Sequence, residues 1–225
     1  MFSDLGRAFE QLGDPAIRKV IWISIGGALA VMVLLVLGAG AAMQWLTLVD
    51  WGWLDGLIDF IATFGAFVLA FMAFPAIAVT ISTMMLEDVA EAVEQRHYPG
   101  LGPARPVSVL AGLVSGLRFF AVWLGVNLVA FLLTLVLPGI NLVVFYAVNG
   151  YLLGREYYEI VALRRLPAKE AAVLRRSNRG TVFLAGLVIA VLMTVPLVNL
   201  LAPIVAAAFM VHVFQRLATK ISESS

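Results

Sequence analysis

The chain contains no cysteine, which excludes disulfides, thiolate catalysis, iron–sulfur clusters and cysteine-ligated zinc. Charge is nearly as scarce. Charged residues make up 13% of the 225 positions, and 15 Lys and Arg against 14 Asp and Glu leave a net charge of +1. That balance, with no basic patch interleaved with aromatics, argues against a nucleic-acid partner. The two histidines, His97 and His212, lie far apart in sequence. No nucleophile–base set, metal-ligand cluster or acid–base pair emerges, so neither an enzyme, a metal nor a cofactor is expected. A Walker A loop is also missing, so any transport would be passive or ion-coupled rather than driven by ATP.

What the chain has in excess is apolar sequence. Hydrophobic residues account for 62% of it and the mean hydropathy is +1.00, too apolar for a soluble domain and too long for a lone anchor. Runs of at least 18 apolar residues nearly free of charge fall at about 20–49, 60–86, 119–153 and 181–211, the pattern of transmembrane helices. Arg18-Lys19 before the first run resembles the start of a signal peptide. The run is too long for that, since signal h-regions span roughly 7–15 residues, so it is expected to remain as a membrane helix.

In chain order, residues 1–13 space Phe2, Leu5, Phe9 and Leu12 by threes and fours, which predicts a short amphipathic helix. It would lie either in the membrane interface or on the protein itself. Asp14-Pro15 restarts the chain with an acidic cap and a proline at the first helical position. A long helix follows over 15–49, reaching roughly 45 Å against a hydrocarbon core of ~30 Å. Asp50, Trp51, Trp53, Asp55 and Asp59 read as an acidic turn with an aromatic belt. A second long helix is expected over 54–96, bent near Pro75, its acidic end from Glu87 to Glu94 projecting into water. Tyr98 to Pro106 is a loop, and Val107 to Arg118 a short helix.

Two apolar stretches, 119–163 and 181–214, are each broken near the middle, by Pro138-Gly139-Ile140-Asn141 and Pro196-Leu197-Val198-Asn199. Proline inside a helical pattern removes an N–H and clashes with the previous turn. Each stretch therefore reads as a hairpin. No Lys or Arg occurs between Val20 and Gln95, whereas Arg118, Arg155, Arg164, Arg165, Lys169, Arg175, Arg176, Arg179, Arg216 and Lys220 gather at the hairpin bases. Positive residues mark the cytoplasmic side, so both hairpins open toward the cytoplasm and both termini lie there. The uncharged apices suit hairpins ending within the bilayer, where irregular backbone must face protein or a wet cavity. Four full spans with tight neutral turns are the other reading. The fold class is an all-α integral membrane protein: an N-terminal amphipathic helix, two long transmembrane helices and two proline-broken hairpins in one domain, 1–225.

Candidate functional residues fall in three places. Broken helices expose backbone N–H groups that attract anions, and repeated transporter halves use them so. Pro138, Asn141, Pro196 and Asn199 are thus candidates for lining a path, unless the asparagines only satisfy their own turns. Glu156 joins them because intramembrane acids are costly and face a partner or a pathway. Asn127 and Asn149 read as interhelical glue, Arg155 and Glu159 as a structural i, i+4 ion pair, and the basic loop 164–179 mostly as topology signal. Residues 14–19 combine a helix N-terminus with two cations beside the bilayer, which suits a tetrahedral oxyanion.

Several segments together resemble the CysZ sulfate permease family of bacterial inner-membrane proteins, which shares its domain with the etoposide-induced-protein-like family. They are Pro15-Ala16-Ile17-Arg18-Lys19, Phe74-Pro75 to Gly100, Leu137-Pro138-Gly139-Ile140-Asn141 and Asn149-Gly150-Tyr151-Leu152-Leu153-Gly154-Arg155-Glu156-Tyr157. Arg175-Arg176-Ser177-Asn178-Arg179 and Val195-Pro196-Leu197-Val198-Asn199-Leu200 complete the set. The resemblance implies a homo-oligomer with two long helices and two partly penetrating hairpins, taking up sulfate for cysteine synthesis. It also implies a sulfate site at Ala16, Ile17, Arg18 and Lys19, where the family carries Gly-Leu-Arg and a second basic residue. Arg18 matches, Lys19 keeps the charge without the planar fork, and Ala16 replaces the glycine. The expectation is a permease for sulfate or a similar oxyanion. A membrane scaffold or assembly factor that transports nothing is the alternative.

Overall fold

The second helix begins where an acidic side chain meets a proline. Asp14 Oδ1 accepts the Ala16 N–H at 2.9 Å, satisfying one orphan donor of a helix whose first residue, Pro15, has none to satisfy. The computed structural model describes residues 1–43, 52–105, 109–136 and 140–222. Among them the elements run α1 (Phe2–Glu10), α2 (Pro15–Met43), α3 (Gly52–Met84), α4 (Leu86–His97), α5 (Val109–Val136), α6 (Asn141–Ala162), α7 (Ala168–Ser177), α8 (Arg179–Thr194), α9 (Pro196–Asn199) and α10 (Ala202–Ser222). A single 3₁₀ turn, Gln11–Gly13, follows α1. No strand occurs among the described residues, and the chain is an all-α membrane protein.

By its contacts the chain divides into two units, residues 18–85 and residues 1–17 with 86–225. The first consists of most of α2 and of α3. Pro15–Ala41 and Thr63–Met84 are long and apolar enough to cross a membrane. Their outward surface is large and apolar, with Leu34, Leu37, Phe60, Leu69, Phe71 and Met72 exposed, as expected of side chains that meet lipid. Buried positions are small or β-branched: Val20, Ser24 and Ala28 on α2, Ala70, Ala78 and Ser82 on α3. Gly27 lies so near Ile81 that a Cβ there would come within 2.9 Å of its Cδ1, the close approach that small residues permit between membrane helices. Pro75 sits inside α3 without ending it.

The single helix expected over 54–96 is two, divided at Met85. Thr80, Ser82 and Thr83 hydroxyls each donate to the carbonyl four residues back, on Ala76, Ala78 and Val79. Such back-bonding competes with the helical ladder. The Met85 N–H then bonds Ser82 O three residues back, closing a tighter turn. Helix α3 starts at Gly52, so Trp53, Asp55 and Asp59 of the expected acidic turn fall within it; Asp50 and Trp51 lie, with the rest of 44–51, outside the described residues.

The second unit is built around α10, in which every residue from Ala202 through Gln215 is buried. It is covered by α1, α4, α6 and α8. Phe209, Met210 and Phe214 fill the space between them, and Ala206, Ala207 and Ala208 let the neighbours approach. Helix α4 contributes Leu86, Val89, Ala90 and Val93 from its buried face. Helix α1 lies on the protein, but its buried residues are Asp4 and Ala8, followed by Gln11. Phe9 of the predicted stripe is 39% exposed.

Both hairpins form with shifted limits. The short helix and first arm expected around 107–136 are one helix, α5, paired with α6. Pro138 and Gly139 lie outside the described residues. Pro196 ends α8, starts the one-turn α9 and precedes α10. The tightest helix pair lies between the hairpins. Tyr146 Oη donates to Thr194 Oγ1 at 3.3 Å at one end of α6 and α8. At the other, Gly154 lies against the Val182 backbone and Gly186 against Gly150 and Gly154. A Cβ on Gly186 would come within 2.6 Å of Gly154 Cα, so these antiparallel helices touch backbone to backbone.

Candidate functional site

At the start of α2, Ala16, Arg18 and Lys19 are exposed and Ile17 is buried. Among the described residues neither Arg18 nor Lys19 has a carboxylate within ion-pair distance. The helix N-terminus itself is partly spoken for. Asp14 occupies the Ala16 N–H with one oxygen and binds Arg96 with the other at 2.6 Å. The Arg96 hydrogen bond holds the Asp14 carboxyl below the usual carboxylate range, outweighing the desolvation that opposes it. An anion arriving here would therefore rely on the two side-chain cations more than on the helix dipole.

Of the apical candidates, Asn141, Pro196 and Asn199 are described and Pro138 is not. Asn141 opens α6 and, with Asn127, Thr134 and Asn149, lines a groove of about 290 Å³ between α5 and α6 that does not include Asn199. The Asn127 and Asn149 amides donate to Trp123 O and Phe145 O on their own helices. Pro196 is exposed and Asn199 half-buried. Glu156 is half-buried on α6 and takes part in no ion pair among the described residues.

Several charges expected to be solvated are instead interior. Glu94, on the acidic segment expected in water, is 3% exposed and binds Arg164 at 3.1 Å and Arg165 at 2.6 Å. Glu87, Asp88 and Glu91 are exposed as expected. The signal for Glu94 was in the sequence, because it falls one residue from Val93 on the face that Val89 and Ala90 begin. The basic loop 164–179 is largely helix α7. Arg175 is not a free topology charge; its side chain is 18% exposed and stands 3.9 Å from Glu159. Glu159 also accepts from Arg155 Nε at 2.9 Å, as the i, i+4 spacing predicts.

The two histidines, remote in sequence, meet edge to face with ring centroids 5.1 Å apart. His212 Nε2 lies 3.3 Å from the Gln11 amide nitrogen and Nδ1 2.8 Å from Tyr98 Oη. Partial desolvation and the nearby Arg96 and Arg7 lower the pKa of the exposed His97, against smaller opposing effects of Asp14 and Glu10. Asp4 ties the N-terminal amine to Arg216 at 3.1 and 2.7 Å. These contacts fasten α1 and α4 onto α10.

Comparison with individual curated proteins gives no match. The match is at the level of the family, and it covers all but the first residues and the last helix. Over residues 4–203 the chain fits, and thereby belongs to, the family described as sulfate transporter CysZ/etoposide-induced protein 2.4.

Proposed function

We propose that the protein is a permease for sulfate or a chemically similar tetrahedral oxyanion in the bacterial inner membrane, supplying sulfur for cysteine synthesis as a homo-oligomer. The observation that carries this reading, within a transporter-related family, is the pair Arg18 and Lys19. They are exposed and lack an ion-pair partner among the described residues, in the first turns of a helix apolar enough to cross the membrane. A guanidinium offers two parallel N–H donors to an oxyanion and an ammonium adds a mobile third. Ala16 and Ile17 complete the local site; Pro138, Asn141, Glu156, Pro196 and Asn199 are assigned to the path beyond it. Both termini are assigned to the cytoplasm from the distribution of basic residues. The test is uptake of labelled sulfate into proteoliposomes containing this protein alone. A permease gives uptake above that of empty vesicles, and a scaffold or assembly factor gives none.

A further inference from the structure

The arginines at the base of the second unit are arranged in a way that topology signalling does not require. Arg155, Arg175, Arg176 and Arg179 line one cavity of about 480 Å³ together with Tyr151 and Val122. It adjoins another of about 330 Å³ that shares three of these arginines and adds Gly180 and Phe183. Charges that only orient a membrane protein lie in water at helix ends. Arg155 is 4% exposed, its guanidinium carbon 5.9 Å from the Phe119 ring centroid. The Arg175 Nε is buried with no hydrogen-bond partner. Against these four cations stands one carboxylate in ion-pair reach among the described residues, Glu159, already shared by Arg155 and Arg175. Arg176 and Arg179 have none. Arg155 and Arg175 are withdrawn from water while Arg176 and Arg179 stay exposed at the mouth, and four guanidiniums lining one space repel each other unless an anion joins them.

The backbone supplies a second, independent feature. Arg179 is the first residue of the 16-residue α8, and its N-cap, Asn178, makes no capping hydrogen bond. The Asn178 amide instead donates back to Leu174 O on α7. The first N–H groups of α8 are left to another acceptor, and Gly180, in that first turn, lines the smaller adjoining cavity with open space around it. The helix pair α7–α8 bends by 89° at this junction. That brings the basic end of α7, Arg175 and Arg176, beside the N-terminus of α8.

We propose that this cavity binds a tetrahedral oxyanion, held by Arg175, Arg176 and Arg179 with the α8 N-terminus, while Glu159 and Phe119 hold Arg155 in place at its wall. The chemistry is that of sulfate or phosphate, and the same group is found free in solution or as the phosphate of an anionic lipid. The site uses other residues than Arg18 and Lys19 and does not depend on transport.

The test uses the purified full chain and the double variant R176Q/R179Q, whose positions are exposed, with R155K as a milder change that keeps the charge but loses the planar fork. Thermal stabilisation and calorimetric binding are read with sodium sulfate and sodium phosphate, against sodium chloride at equal ionic strength. Native mass spectrometry reads lipid retained from nanodiscs of phosphatidylcholine with and without phosphatidylglycerol. Sulfate or phosphate should bind wild type, and the double variant should weaken it at least about tenfold, as expected on losing a hydrogen bond to a charged group. R155K should weaken it less, and in R18A, which removes the α2 site, the share of binding that R176Q/R179Q abolishes should persist. If the free anions fail but phosphatidylglycerol is retained by wild type and lost from the double variant, the ligand is the lipid phosphate. Equal behaviour of wild type and a correctly folded double variant toward both anions and the lipid would overturn the site. Sulfate uptake lost in R18A with anion binding intact in this cavity would bear on transport alone.

Discussion

At the scale of single residues, the account turns on which charges are solvated and which are not. If Arg18 anchors an oxyanion, Arg18→Ala should weaken sulfate binding by about 1.5–3 kcal/mol, the worth of a hydrogen bond to a charged group. Lys19→Arg, which restores a planar fork, should hold or improve affinity, and Lys19→Gln should lower it. Calorimetry on the three variants reads these effects. Lys169, exposed on α7, is the suitable control, because a solvated charge is screened by salt; Arg175 is not, since it is interior. His97 gives a pH dependence of known sign. His97 is exposed, and its pKa is lowered from the ordinary 6.5 by partial desolvation first and by Arg96 next. The folded state therefore holds fewer protons than the unfolded one just below that value. His97 is thus costless to stability above pH 6.5 and costs progressively more as pH falls below it. The thermal midpoint should drop between pH 7.5 and 5.5, and His97→Asn should flatten that drop. An unchanged slope in the variant would assign the effect to other groups.

At the scale of elements, the α6–α8 contact is the least forgiving. With Gly150, Gly154 and Gly186 backbone to backbone, Gly186→Ala must push the helices apart, an overpacking cost of about 1–3 kcal/mol or more. Gly180→Ala, where nothing lies within 4 Å, should cost far less; thermal unfolding of both in one detergent checks the contrast. The two proline breaks and the Asp14-Pro15 start were legible in the sequence; the glycine contact of α6 with α8 was not read from it. The division at Met85 was not legible, because the apolar pattern runs through it unbroken and the hydroxyls of Thr80, Ser82 and Thr83 turn on their own helix. Nor was the burial of α10: an apolar sequence looks the same whether it will meet lipid or protein. Since the chain has no cysteine, hairpin depth can be read by single substitutions. Cysteines at Gly139 and Val198 should react slowly with impermeant thiol reagents added from outside, and one at Gly52 readily. Similar rates at all three would establish full spans.

For the whole molecule, the contacts that fasten the second unit join residues far apart in the chain: Gln11 with His212, Glu94 with Arg164 and Arg165, Asp4 with Arg216. Pattern in a single sequence reports local periodicity and hydropathy, and such pairs carry neither. The family was legible because its marks are local segments in a fixed order, and the site at 16–19 was read from one of them. The arginines at the α7–α8 junction were visible as residues but not as a cavity, which exists only once α7 and α8 bend and α6 lies against them. The central claim, that the chain carries an oxyanion across the membrane through a site at Arg18, is tested most directly by sulfate flux. Wild type and Arg18→Ala would be reconstituted at matched insertion and orientation, and initial rates of labelled sulfate uptake compared at low sulfate concentration. The account predicts uptake by wild type and a roughly ten- to hundredfold lower rate for the variant, following its loss of binding. Equal rates, or no uptake by either, would contradict it.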